Sequence, residues 1–153
     1  MNKLKSEGLK IFLLFGRVCA DNRLFLKKIS QSDLDMIESL IRKNKVPMIP
    51  FLLKCFPEAF KDYCLTCVKK GIGPDFYPQS VLHYWCNHHH GETPVVFALV
   101  CMVENDGRVS VSYNGEVMKV INPYGVTVKK WDLVIIHGPV LIMKASLYGA
   151  TLR

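Results

Sequence analysis

No apolar run in this 153-residue chain approaches the ~20 residues that a membrane-spanning helix needs; the uncharged apolar stretches at residues 11–16, 94–103 and 133–143 all fall short. There is no Asn-x-Ser/Thr sequon, no glycine-rich phosphate loop of the Walker or dinucleotide type, and no arginine-rich tract. Lys3, Lys5 and Lys10 precede residues 11–15, but that run is short for a signal peptide and no small-x-small cleavage site follows before Arg17. It is read as a strand, and the six cysteines are expected to stay reduced in the nucleus or cytoplasm. With no repeat, low-complexity tract or linker, the expectation is one domain over residues 1–153.

What is present is globular in composition, half of it hydrophobic and 22% charged. Twenty Lys+Arg against thirteen Asp+Glu give a net charge of +7, which raises the prospect of a polyanionic partner. The basic residues come in separated pairs, Lys27-Lys28, Arg42-Lys43, Lys69-Lys70 and Lys129-Lys130, the pattern of a solvated basic surface.

Residues 9–18 and 24–29 are rich in aliphatic and aromatic side chains and flank Ala20-Asp21-Asn22, which predicts an N-terminal β-hairpin. Ser30 or Ser32 can then cap a helix that carries Leu34, Ile37, Leu40 and Ile41 on one face and ends before Pro47. Pro47, Pro50 and Pro57 cut the following chain into short pieces, and Pro57 suits the first turn of a second helix over residues 58–70, stopped by Gly71. Residues 95–103, 108–113, 116–121, 131–136 and 140–147 are strand-like, with Asn105-Asp106-Gly107 and Asn114-Gly115 as hairpin turns. The fold class is therefore α+β: an N-terminal β-hairpin and two helices followed by an antiparallel β-meander, with residues 95–103 central.

The chemistry-bearing stretch is Cys64-x2-Cys67-x15-His83-x2-Cys86, followed by His88, His89 and His90. Two closely spaced pairs of soft ligands separated by a loop suit one tetrahedral zinc ion that clamps two chain segments, with His88 or His90 as alternates for His83. Four protein ligands leave no open position, so such a site is structural. Buried packing is the competing use of the same thiols, because free cysteine is among the most buried residue types. A Cys–His hydrolase built from Cys86 or Cys101 with His137 is a further alternative, although no cysteine lies at a glycine-flanked elbow. A basic domain for single-stranded nucleic acid is another, its lysine pairs on phosphates while His88–His90 and Tyr84-Trp85 approach the bases. Finally, Phe60, Cys64 and Val68 recur at i, i+4 and i+8, the geometry of a helix that docks into a partner's apolar groove.

The run Ser80-Val81-Leu82-His83-Tyr84-Trp85-Cys86, preceded by a helix with closely spaced cysteines and followed by a β-rich half ending in Leu141-Ile142-Met143-Lys144-Ala145-Ser146-Leu147-Tyr148-Gly149, resembles the large early-region-four protein of adenoviruses. In that family a Leu-His-Cys-His-Cys segment follows a cysteine-rich helix; Tyr84 stands here where a cysteine is expected, and the Ser-Leu-Gln-Cys element that follows it there has no counterpart. The resemblance runs from Ile29 onward, as a shortened version without the family's arginine-rich C-terminal region. It implies a substrate receptor for a host cullin ubiquitin ligase, recruited through an elongin-binding box of Leu-x-x-x-Cys-x-x-x-aliphatic type. Phe60-x-x-x-Cys64-x-x-x-Val68 is a near match to that box. The expectation is a non-enzymatic viral early or accessory interaction protein of the host nucleus or cytoplasm, with no membrane contact. Cys64, Cys67, His83 and Cys86 would hold structural zinc, and Phe60 and Val68 would face the partner.

Overall fold

The computed structural model describes residues 3–71, 75–88 and 93–145, and the chain divides into two compact units, Met1–His89 and His90–Arg153. The first is helical, with α1 (Lys3–Phe25), α2 (Gln31–Arg42), α3 (Ile49–Cys55), α4 (Pro57–Lys69) and α5 (Pro78–Asn87). The second holds the strands β1 (Val95–Val103), β2 (Val109–Tyr113), β3 (Glu116–Val120), β4 (Leu133–His137) and β5 (Val140–Lys144). The α+β class is as the sequence implies.

The N-terminal hairpin is not formed: residues 9–18 and the expected turn at Ala20-Asp21-Asn22 lie within α1. The physical reason is burial on several sides. α1 packs against α2, α3 and α5, so Leu9, Phe12, Leu13 and Gly16 are buried on one side and Ile11 and Phe15 on the next. An apolar run surrounded by neighbours loses the one-sided 3.6-residue period by which a helix is distinguished from a buried strand. The glycines of α1 permit that closeness. A Cβ on Gly8 would collide with the backbone carbonyl of Phe76, and one on Gly16 would lie 2.9 Å from the ring of Phe56.

α2 begins on a capping box, in which the Ser30 hydroxyl accepts from Asp33 N at 3.0 Å while Asp33 Oδ2 accepts from Ser30 N at 3.0 Å. α3, α4 and α5 each carry a proline in the first turn, where its missing N–H leaves no helical bond unmade. His83 and Cys86, left without an assigned element by the sequence, stand on the helix α5, with Val81, Leu82, Tyr84 and Trp85 buried. Two helices were expected among residues 30–70, where α3 adds a third. An aromatic cluster fills this unit: the Phe12 ring meets Phe60, Tyr63, Phe76 and Trp85 edge-on, and Phe15 stacks on Trp85 at 5.3 Å.

In the β unit, Asn114 and Gly115 both adopt positive φ, as a two-residue hairpin turn of the β2–β3 type requires. The strand order is β3-β2-β1-β4-β5, all neighbours antiparallel, so β1 is central as expected. β4 crosses to the free side of β1 instead of pairing with β3, which adds a crossover to the meander. The two edges then meet at one place: Ile121, just after β3, forms a parallel bridge with Val140 of β5. Ile121 N donates to Pro139 O at 2.8 Å and Leu141 N to Ile121 O at 2.9 Å. Bulges at Val100/Met102 and Ile135/Ile136 bend the strands, and the sheet curls into a partly open five-stranded barrel. Ala98, Val100, Val109, Val111, Val120, Val134, Ile136 and Leu141 form its interior, with Val126 and Val128 packed against them.

Candidate functional site

Cys64 and Cys67 lie one turn apart on α4, Cys67 buried and Cys64 half-buried. Across from them α5 carries His83 and Cys86. A cleft of about 270 Å³ between the two helices is lined by Thr66, Cys67, Lys70, Gln79, Ser80, His83 and Tyr84. The His83 and His88 Nε2 atoms are 3.0 Å apart, and Lys70 Nζ contacts His83 Nε2. Two of the four anticipated ligands, Cys67 and His83, thus share one cleft, joined by the alternate His88. Among the described residues, however, no three His, Cys, Asp or Glu side chains gather in a way that could hold a metal ion. His90 lies outside the described residues.

Burial favours the protonated form of Cys55, Cys64 and Cys86. It pushes Cys86 up to about 12, with no charged group contributing, and Cys55 up to about 11, aided by Asp33. Cys64 is also raised, first by burial and then by its neighbour Cys67. A nucleophilic cysteine requires the opposite shift. The second anticipated pair, Cys101 with His137, is separated by strand geometry. His137 pairs with Val95, so Cys101 lies six residues farther along β1, about 20 Å at ~3.3 Å per residue.

The α4 stripe divides. The Phe60 ring turns inward, 5.4 Å from that of Phe76, and Cys64 is half-buried. Val68 is 64% exposed, and so, at 58%, is Leu65, which was not singled out in the sequence. The signal for Leu65 was available: it lies three residues before Val68, on the same side of a helix. Tyr84 and Trp85, assigned to nucleic-acid bases in one alternative, are 1% and 2% exposed and belong to the helical core. The Tyr84 hydroxyl donates to Asp62 Oδ2 at 3.0 Å, tying α5 to α4. The chain's other tryptophan, Trp131, is 70% exposed and stands in the turn before β4. No family model, curated protein or solved structure matches the chain.

Proposed function

We propose that the chain is a non-enzymatic interaction protein of the viral early or accessory kind, which brings host proteins to a cullin ubiquitin ligase inside the host nucleus or cytoplasm. The observation that carries this is the outward apolar pair on α4: Leu65 and Val68, with exposed Lys61 and Lys69 beside them. A leucine and a valine held in water on a regular helix are the anchors of a helix-in-groove contact. Burying each against a partner would contribute about 1.5–3 kcal/mol. Phe60, at the first position of the elongin-type box, contributes by fixing α4 to the aromatic core instead of touching the partner. Burial raises Cys55 and Cys86 away from the thiolate that a cysteine nucleophile needs, which supports a role without cysteine catalysis at those two positions.

Zinc on Cys64, Cys67, His83 and Cys86 would brace α4 against α5 and would withdraw Cys64 from the partner-facing box, leaving Leu65 and Val68 as its contacts; metal content reads its presence. The experiment for the function is capture of the elongin adaptor by purified chain. Val68→Asp and Leu65→Asp should each abolish capture while leaving the melting temperature unchanged, since both side chains already stand in water. Failure of the unmutated chain to capture elongin would refute the ligase role.

A further inference from the structure

Trp131 combines three properties that rarely coincide. Its φ is +76°, in the left-handed region that disfavours a bulky side chain. Its side chain is 70% exposed, so little of the indole is used in packing. Yet its backbone is locked in place: Trp131 N donates to Val100 O at 2.8 Å, and Val100 N donates to Asp132 O at 2.9 Å. The barrel's central strand therefore holds a strained turn that presents a flat aromatic surface to water.

The surroundings are cationic. Lys130 Nζ lies 5.1 Å from the indole centroid. Asp132 receives Lys129 N at 2.9 Å and is paired by Lys129 Nζ and Lys144 Nζ, each at 3.4 Å. Two ammonium groups thus pair with one carboxylate while a third lies over the ring, an excess of positive charge beside the indole.

We propose that the Lys129–Trp131 turn is a contact site for single-stranded nucleic acid, a base stacking on the indole of Trp131 while Lys129 and Lys130 meet the flanking phosphates. Stacking on an aromatic face beside basic side chains is how single strands are held without sequence preference, since every base offers a π-face. A protein partner fits less well, because lysine is depleted from the buried centre of protein interfaces where an anchoring tryptophan sits. The proposal goes beyond the α4 surface and involves none of its residues.

The test is fluorescence anisotropy of the full chain with a labelled oligothymidylate of about twelve nucleotides at ~50 mM salt. Binding should quench the exposed indole while the buried Trp85 keeps its emission. Trp131→Ala should weaken binding roughly tenfold or more, Trp131→Phe less. Lys129→Ala and Lys130→Ala should each reduce the slope of log affinity against log salt by about 0.7. Trp131→Gly removes the indole and the backbone strain at once, so a loss of binding shared with Trp131→Ala cannot be assigned to strain left at φ +76°. No binding by the unmutated chain overturns the proposal. Unchanged affinity in both Trp131→Ala and Trp131→Gly also overturns it, assigning any binding to lysines elsewhere. So does a turn whose variants lose a protein partner but keep the oligonucleotide.

Discussion

Replacing Trp131 by alanine and by glycine should invert the usual stability order of those two residues. Trp131 is 70% exposed. The remaining third of a side chain that can bury roughly 250 Å² is about 75 Å², or about 2 kcal/mol at ~25 cal/mol per Å². Both substitutions lose that contribution, along with about 0.5–1 kcal/mol from Lys130 over the ring. They differ in the backbone. Alanine retains a Cβ at φ +76°, which costs about 1–2 kcal/mol, while glycine removes that strain at about 0.5–1 kcal/mol of extra unfolded-state entropy. Trp131→Gly should therefore be more stable than Trp131→Ala by about 0.5–1 kcal/mol. Urea unfolding followed by far-UV circular dichroism reads the difference, since neither variant retains a tryptophan in the β unit. Alanine more stable than glycine by a similar margin would refute the strained conformation and the locked turn with it.

Gly8→Ala should destabilise the helical unit by about 2–3 kcal/mol, because the added Cβ meets a backbone carbonyl that cannot rotate away; a melting temperature equal to the parent's would contradict the approach of α1 to Phe76. Asp33 is held below the usual carboxylate range by Lys54 and by the backbone of Ser30. Its contribution is thus present above the unfolded carboxylate value near ~3.9 and lost as pH falls through the lower folded value; Asp33→Ala should flatten the acid limb of melting temperature against pH, and an unaltered limb would count against the pairing. Cys86, pushed up to about 12 by burial, should resist alkylation at neutral pH until the helices unfold, and chelator dialysis should leave helicity unchanged if apolar packing holds α4 to α5. About one zinc per chain, lost together with helicity, would instead establish the clamp.

The elements legible in the sequence were those whose cause is local. Asn114-Gly115 fixes its turn because both positions need positive φ, and of the two candidate caps Ser30 and Ser32 it is Ser30 that starts α2, paired with Asp33 within four residues of chain. α1 was hidden because its cause is tertiary: neighbours on several faces bury residues all round, and the pattern that remains resembles a strand. α5 was obscured differently. Pro78 announces a first turn, but His83 and Cys86 drew attention as ligands, while Val81, Leu82, Tyr84 and Trp85 supplied a buried helical face. At the site, exposure was the missing quantity. Nothing in the residue types separates Trp85 in the core from Trp131 in water, or Phe60 turned inward from Leu65 turned out.

The single bridge between Ile121 and Val140 sets the order in which the barrel comes apart. β1 is held over Val95–Leu99 by β4 and over Leu99–Val103 by β2, whereas among the described residues the outer strands are joined through Ile121 N to Pro139 O and Leu141 N to Ile121 O. A seam of two net hydrogen bonds is worth about 1–3 kcal/mol, well under the free energy of unfolding a whole unit. The Ile121 and Leu141 amides should therefore exchange with solvent deuterium through frequent unlatching, while that of Val100, which donates to Asp132 O, waits for the sheet itself to open. Each unlatching briefly frees an edge of β3 and of β5, so the seam is where the barrel is most exposed to strand addition by another chain.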